Sequence, residues 1–423
     1  MPTTWSCSSV SCRITNEADC PDGDQLYNGV KELVAQHLDT LAEQKVVPAF
    51  PRSSGTHGAG KMGGGAEAIE RALEGDMFLK ALKGVWEDHT GSMHKITAVV
   101  RYMVSIQIRV CSTDGQDKVY APSAGVPLIY DVGLSIFLQN IVRSSKYPIH
   151  THLIATLLSQ VQLERDGETI TRSTVRECVD ILLRLTVPER EGGKNVYLTD
   201  FEPEFLKRSA EFYRLEAIEF LETGDAPQYL RNVSRILIGR ADDQVEKRLA
   251  EESDRTAHYL STLTHVQLQE LLVAELLTPH LDAILHMAGS GLVTMVDHDR
   301  TSDLSRMYKL FLLVPLDLGK DALRFALRAD VEDRGKAIND SANEPEPGPS
   351  TAGDGNQDME ADVKGKGKVK PVTNTSAALT SALRWVQDVL DLKDKFDKIL
   401  DQAFGGDKAV QTSINLVSLT RAW

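Results

Sequence analysis

The chain is short of most features that announce an extracellular protein or an enzyme. Among its 423 residues there are five cysteines, at positions 7, 12, 20, 111 and 178. They are odd in number and unevenly spaced, which excludes a disulfide-stapled scaffold and suits a reducing compartment. No apolar run approaches the roughly 18 residues that a membrane span requires. The opening MPTTWSCSSV has neither a basic start nor a long apolar stretch, so no signal peptide is expected. Aromatic residues make up 6%, and positive charge is outnumbered, with 47 Lys and Arg against 61 Asp and Glu. The resulting net charge of −14 argues against a nucleic-acid binder, which needs a basic face. The expectation is a soluble protein of the cytoplasm, the nucleus or both.

What is present is apolar periodicity. Hydrophobic residues make up 42% of the chain, enough to bury large cores, and the length suits about two to four domains or one long repeat array. Leu26, Val30, Leu33, Val34 and Leu38 predict a helix over 26–41. After a Gly/Pro/Ser-rich loop at 48–65, Phe78, Leu82 and Val85, with Trp86 beside them, predict a second helix over 66–102. Leu134, Phe137, Leu138, Ile141 and Val142 follow the i, i+3, i+4, i+7, i+8 rule, as do Val175, Cys178, Val179, Leu182 and Leu183, and again Leu304, Met307, Tyr308, Phe311 and Leu312. Thr174 with Glu177 has capping-box spacing. Val187-Pro188 and Val314-Pro315 mark helix ends, since the residue before proline avoids the α region. One segment conflicts with this pattern: the first half of 104–116 alternates apolar and polar residues like a strand. Residues 340–380 are low-complexity, acidic and then lysine-rich, and cannot offset their ordering entropy by burial. Helix resumes over 383–400, with Val389, Leu392, Phe396, Ile399 and Leu400 on one side. The fold class expected is all-α, an elongated stack of helical bundles.

Few residues invite a chemical reading. Gly55 to Lys61 fits GxxxxGK, but Met62 stands where a phosphate loop needs Ser or Thr, and no hydrophobic strand precedes it. A flexible linker is the better reading. Cys7, Cys12 and Cys20 lack a CxxC pair and a fourth ligand, so no metal is expected. His89 and His94 read as surface or capping residues. The acidic groups at Glu251-Glu252 and Asp297 to Asp303 read as solvated faces and turns. Lys364, Lys366, Lys368 and Lys370 make only a weak basic tract. Ser209 and Ser290 have no nucleophile setting. No catalytic residue and no cofactor are expected.

A series of motifs in a fixed order gives the chain a family resemblance. Phe78-Leu79 with Val85-Trp86-Glu87-Asp88-His89 resembles FLxxLxxxWxDH of the cullins. Asp117 to Phe137, Glu164-Arg165-Asp166-Gly167-Glu168, and Tyr197 to Tyr213 resemble the cullin stretches DRVYV…VYxLGLxLF, ERxGE and YEEDFExPFLxxSAEFY. Arg255 to Leu260, Ser290 to Met295, Met307 to Phe311 and Leu390 to Phe396 follow in the family's order. The chain thereby resembles the cullin N-terminal repeat region, closest to the cullin-3 type, over about 25–415.

The resemblance implies five-helix cullin repeats stacked into a stalk. The first, partial repeat would span 25–150, the second 151–275, and a partial third 276–415. It implies a non-catalytic scaffold of a multi-subunit ubiquitin ligase, whose tip grips a BTB-domain substrate adaptor. A separate C-terminal domain of the family holds a RING-box protein. Tyr102, Lys118 and Tyr120 match the helix that contributes to the adaptor interface, and an aromatic beside a cation makes a good anchor. Three departures qualify this. Residues 1–24 are off the family pattern and lack its tip helix. Residues 104–116 are inserted between Met103 and Asp117, which the family has adjacent. Residues 416–423 are off-pattern, so the third repeat is expected to be incomplete and the RING-binding part missing. The alternative is an isolated helical-repeat interaction module with no ubiquitin role.

Overall fold

The computed structural model describes residues 21–52, 65–111, 128–187, 193–238, 252–343 and 374–420. Side chains are described throughout these segments except at 21–26, 100–111, 235, 238, 252–253, 256, 342–343, 374–378 and 416–420. Among these residues the fold is all-α, as expected. The only β pairing among them is an isolated antiparallel bridge between Thr186 and Asn195. The opening segment up to 20, the GxxxxGK loop, Lys118, Tyr120, Glu251, the low-complexity stretch 344–373 and the end from 421 lie outside the described residues.

The described residues divide into two compact units. The first is built around α2 (Ala66–Cys111), which packs against α3 (Ile129–Phe137), α4 (Ile149–Arg165) and α5 (Arg172–Arg184). The preceding α1 (Pro21–Leu41) runs through a π-helical turn, Ala42–Val46, and packs on α3. Leu38, Val46, Phe78, Leu82, Val85, Phe137, Ile141, Leu153, Leu157 and Leu182 are fully buried. A stripe of this size removes enough apolar surface from water to hold the helices together, since each buried Leu, Val or Phe contributes about 1.5–3 kcal/mol. The unit is completed by residues up to Arg208 and by Arg255–His265.

The second unit contains α7 (Ala226–Ile238), most of α9 (Thr262–Leu276), α10 (Leu281–Leu285), α11 (Leu292–Asp297), α12 (Thr301–Phe311), α13 (Leu318–Asn343), α14 (Asn374–Phe404) and α15 (Lys408–Thr420). The helix between the units in sequence, α6 (Glu202–Thr223), supplies residues to both. At the centre of the second unit α12 buries Leu304, Met307, Leu310 and Phe311. It packs on α7, α13 and α14. Val314 has the extended backbone expected before Pro315.

Several expectations change. The first helix starts five residues early, and Leu33, 69% exposed, leaves the apolar stripe to Val34 and Leu38. Leu33 and Val34 are adjacent, so about 100° apart on a helix, and only one can point inward. The strand-like alternation is not realised over 104–111, where α2 continues as helix to Cys111. A short apolar run does not fix its own period, and extending an existing helix avoids the cost of nucleation. Thr174 is no cap: α5 begins at Arg172, Thr174 is buried in the first turn, and Glu177 pairs instead with Lys83 at 2.7 Å. Leu312 is exposed rather than part of the buried stripe.

Candidate functional site

The residue expected to face a partner, Tyr102, has its backbone on α2, nine positions before the helix ends at Cys111. Its side chain is not described, and Lys118 and Tyr120 lie outside the described residues. What can be built from the residues upward is the support of that helix. His89 Nε2 lies 3.0 Å from the carbonyl oxygen of Gly133 on α3. A carbonyl only accepts, so Nε2 carries the proton. Burial pushes the His89 imidazole below its ordinary range, which keeps it neutral. Trp86 meets Phe137 edge-on, with centroids 4.9 Å apart, and Met93 lies over Gly133. One turn further, the His94 ring lies 4.7 Å from Tyr130. Beyond these contacts Val99 on α2 and Leu128 just before α3 are exposed, at 56% and 61%. His89, read as a surface or capping residue, is instead buried, with its ring nitrogen on the Gly133 carbonyl.

A second constellation joins two motifs that are far apart in sequence. Gly167 has φ +93, and the N–H groups of Gly167 and Glu168 donate to the carbonyls of Glu164 and Leu163. This is a Schellman cap, which needs a left-handed residue. It ends α4 just after Glu164. The Glu164 carboxylate accepts from Arg172 Nε at 2.5 Å, Arg255 Nε at 3.2 Å and Tyr259 OH at 2.6 Å. The Glu164 and Arg255 side chains are only 10% and 5% exposed. The ERDGE turn and the RTAHYL segment are thus two halves of one buried ion cluster. Sequence reading found both motifs but not their pairing, because 91 residues separate Glu164 from Arg255.

A third is a proton-ordered chain. Ser261 N–H donates to Tyr197 OH at 3.3 Å, Tyr197 OH lies 2.7 Å from Thr264 Oγ1, and Thr264 Oγ1 donates to Glu202 Oε1 at 2.6 Å. Burial pushes the Tyr197 hydroxyl up to about 12. In the second unit Asp303 corrects the reading of its acidic group as solvated. It is 4% exposed and surrounded by Arg231, Arg300 and Arg306, at 3.4, 3.3 and 2.8 Å. Ser290 Oγ accepts the Ala226 N–H at 3.1 Å. The Cys178 thiol is buried, pushed up to about 12 by burial, and donates to the Leu79 carbonyl. These groups are saturated by partners that fix helix ends and helix pairs. Among the described residues no group of three or more His, Cys, Asp or Glu could hold a metal ion, and no helix is long and apolar enough to cross a membrane.

Comparison with known proteins matches residues 11–418 to the family model described as "Cullin: Cullin alpha solenoid domain". Cullin-3A of Arabidopsis thaliana is 31% identical over 344 residues, which covers 81% of this chain and 37% of that protein. Cullin-3 of Dictyostelium discoideum is 29% identical, covering 93% of this chain and 39% of that protein. Cullin-3 of Schizosaccharomyces pombe is 27% identical, covering 93% and 44%. The chain therefore spans less than half the length of these curated relatives.

Proposed function

The chain belongs to the cullin family, and from that premise we propose that it is a non-catalytic scaffold arm of a ubiquitin ligase, presenting a surface for a BTB-type substrate adaptor. The observation that carries this reading is the family match along 11–418. The pairing of the ERDGE and RTAHYL motifs through Glu164, Arg255 and Tyr259 supports it, because motifs read in family order serve one packed cluster. A scaffold contributes by holding substrate near the transfer chemistry, so it supplies proximity and needs no reactive group. On this reading the chain comprises a partial repeat at 25–150, a repeat at 151–275 and a partial repeat at 276–415, and works in the cytoplasm, the nucleus or both. The RING-box partner would belong to the separate C-terminal domain that the resemblance implies.

The adaptor surface is proposed at Tyr102, Lys118 and Tyr120. As written, 16 positions separate Tyr102 from Lys118, and α2 occupies the first nine of them, a rise of about 13 Å. Without residues 104–116 the two stand three apart, on one helix face. We therefore place adaptor binding in a form lacking that insertion. The test is pull-down with BTB domains of the full chain, of a 104–116 deletion, and of that deletion carrying a cullin-type tip helix ahead of residue 25. Binding that appears on deletion and is lost with Tyr102→Ala supports the reading. No binding by any of the three favours a helical-repeat module outside the ubiquitin system.

A further inference from the structure

Asp303 is saturated, but the arginines around it are not. Its Oδ1 accepts from Arg231 Nη2 of α7 at 3.4 Å and from Arg306 Nη1 of α12 at 2.8 Å. Its Oδ2 faces Arg300 Nε at 3.3 Å. Three positive charges thus converge on one negative charge. The other carboxylates of the 297–303 turn do not redress the balance. Asp297 pairs with Arg334 at 2.6 Å, and Asp299 makes no ion pair among the described residues. The cluster therefore carries two surplus positive charges in a chain whose net charge is −14. Two guanidinium groups that share one carboxylate oxygen lie within about 6 Å of each other and repel. Of the N–H donors on each guanidinium, one is committed to Asp303 and none to any other described residue. The Asp303 side chain is 5% exposed, whereas those of Arg231, Arg300 and Arg306 are 48%, 37% and 23% exposed. The carboxylate forms the floor of a basic notch whose rim is guanidinium open to water.

We propose that Arg231, Arg300 and Arg306 bind a phosphoryl group, either free phosphate or the phosphate of a phosphorylated side chain. Charge and shape select it. A phosphate monoester carries about −1.5 to −2 charge and three strong acceptor oxygens. That matches both the surplus charge and the number of arginines. A single carboxylate would leave the notch positive. Arginine presents its N–H groups in a planar fork, which suits phosphate oxygens bidentately. A polyanion such as a nucleic acid does not fit, because a chain of net charge −14 repels it and the notch offers only three cations. Asp303 weakens the positive field, but it also holds the guanidinium groups in place before the anion arrives. Less side-chain freedom is then lost on binding. The site lies in the second unit and draws on none of the residues proposed for the adaptor surface.

Isothermal titration of the full chain with inorganic phosphate, with N-acetyl-phosphoserine amide and with acetate tests this. The pH is mildly alkaline, where the phosphoryl group is a dianion, and ionic strength is held constant with KCl, so that general screening does not change. At least one phosphoryl probe should bind saturably with one site per chain, and acetate should not. The probe that binds more tightly identifies the source, a phosphorylated side chain or the free anion. Arg231→Gln, at a half-exposed position, leaves Asp303 paired to two arginines and should raise the dissociation constant at least about tenfold. Arg231→Lys keeps the charge but loses the fork, and should fall between the two. Absence of saturable binding by both phosphoryl probes overturns the proposal. So does acetate binding as tightly as they do, or phosphoryl binding unchanged by Arg231→Gln in a chain of unaltered helicity.

Discussion

His89 of α2 donates its Nε2 proton to the backbone carbonyl of Gly133 on α3, 3.0 Å away, and Met93 closes over the same glycine. A Cβ at 133 would lie 2.5 Å from Met93 Cε and 2.8 Å from its Sδ. Gly133 therefore sets how closely the helix bearing Tyr102 can approach α3. Gly133→Ala should destabilise the chain by about 1–3 kcal/mol, the usual cost of overpacking a tight core. Urea unfolding checks this. Adding Met93→Ala should recover part of the loss, since the two substitutions act on one contact.

The same contact has a pH signature. Burial holds the His89 imidazole below its ordinary value of 6.5 in the folded chain. Above 6.5 it is neutral in both states, and its contribution is complete. As pH falls below 6.5 the unfolded chain takes up a proton that the folded chain still refuses, so stability falls until the folded value is passed. His89→Gln keeps a donor for the Gly133 carbonyl but cannot titrate. The difference in unfolding free energy between the two proteins should therefore change with pH below 6.5 and stay constant above it.

Glu164 is the centre of a buried ion cluster in the first unit. Glu164→Gln leaves the Arg255 guanidinium, 5% exposed, without its carboxylate. Removing one charged partner of a buried pair costs up to about 3–5 kcal/mol. Tyr259→Phe removes one hydrogen bond to the same carboxylate and should cost about 1–3 kcal/mol. A double-mutant cycle by chemical denaturation should show the two losses falling short of additivity. Full additivity would mean that the carboxylate does not link them.

The helices were legible in the sequence wherever one stripe of apolar residues dominates a segment. Of Val175, Cys178, Val179, Leu182 and Leu183, which read as one buried face, all but the half-buried Leu183 are buried. Legibility failed where a residue's partner is distant or is backbone. Nothing local to His89 signals that a carbonyl 44 residues away will take its proton, and nothing local to Asp303 signals Arg231 on another helix. Polar residues were read by their local pattern, as surface, whereas tertiary contact decided their burial. The alternation in 104–111 misled for the opposite reason, since a run of eight residues carries too little period to resist a helix already under way. The adaptor residues were legible only through family likeness, and their side chains lie outside what the structure describes.

Asp407 offers the sharpest separation of charge from geometry in the second unit. Gly405 and Gly406, with φ of +59 and +70, turn the chain back after α14 and set Asp407 at the start of α15. Its Oδ1 accepts the N–H groups of Ala409 and Val410 at 2.7 and 3.2 Å, as an N-cap does. Its Oδ2 accepts from Tyr308 OH and Lys320 Nζ, each at 2.7 Å, tying α15 to α12 and α13. Burial would raise this carboxyl, but Lys320, Tyr308 and the two N–H groups outweigh it and hold it well below the ordinary carboxylate range. Asp407→Asn can keep the cap yet loses the charge, and its amide would turn a donor toward Lys320. It should cost about 1–3 kcal/mol at neutral pH. Asp407→Ala should cost about 0.5–2 kcal/mol more, through the lost cap. Because the folded carboxyl is depressed, the aspartate's advantage over asparagine is complete above the ordinary value of 3.8 and is lost as pH falls through the folded value. Unfolding free energies of the three proteins measured from neutral to strongly acidic pH should converge for Asp and Asn while Ala stays below. An Asp-to-Asn gap that does not narrow in acid would mean that the geometry of the cap, and not the ion pair with Lys320, anchors α15.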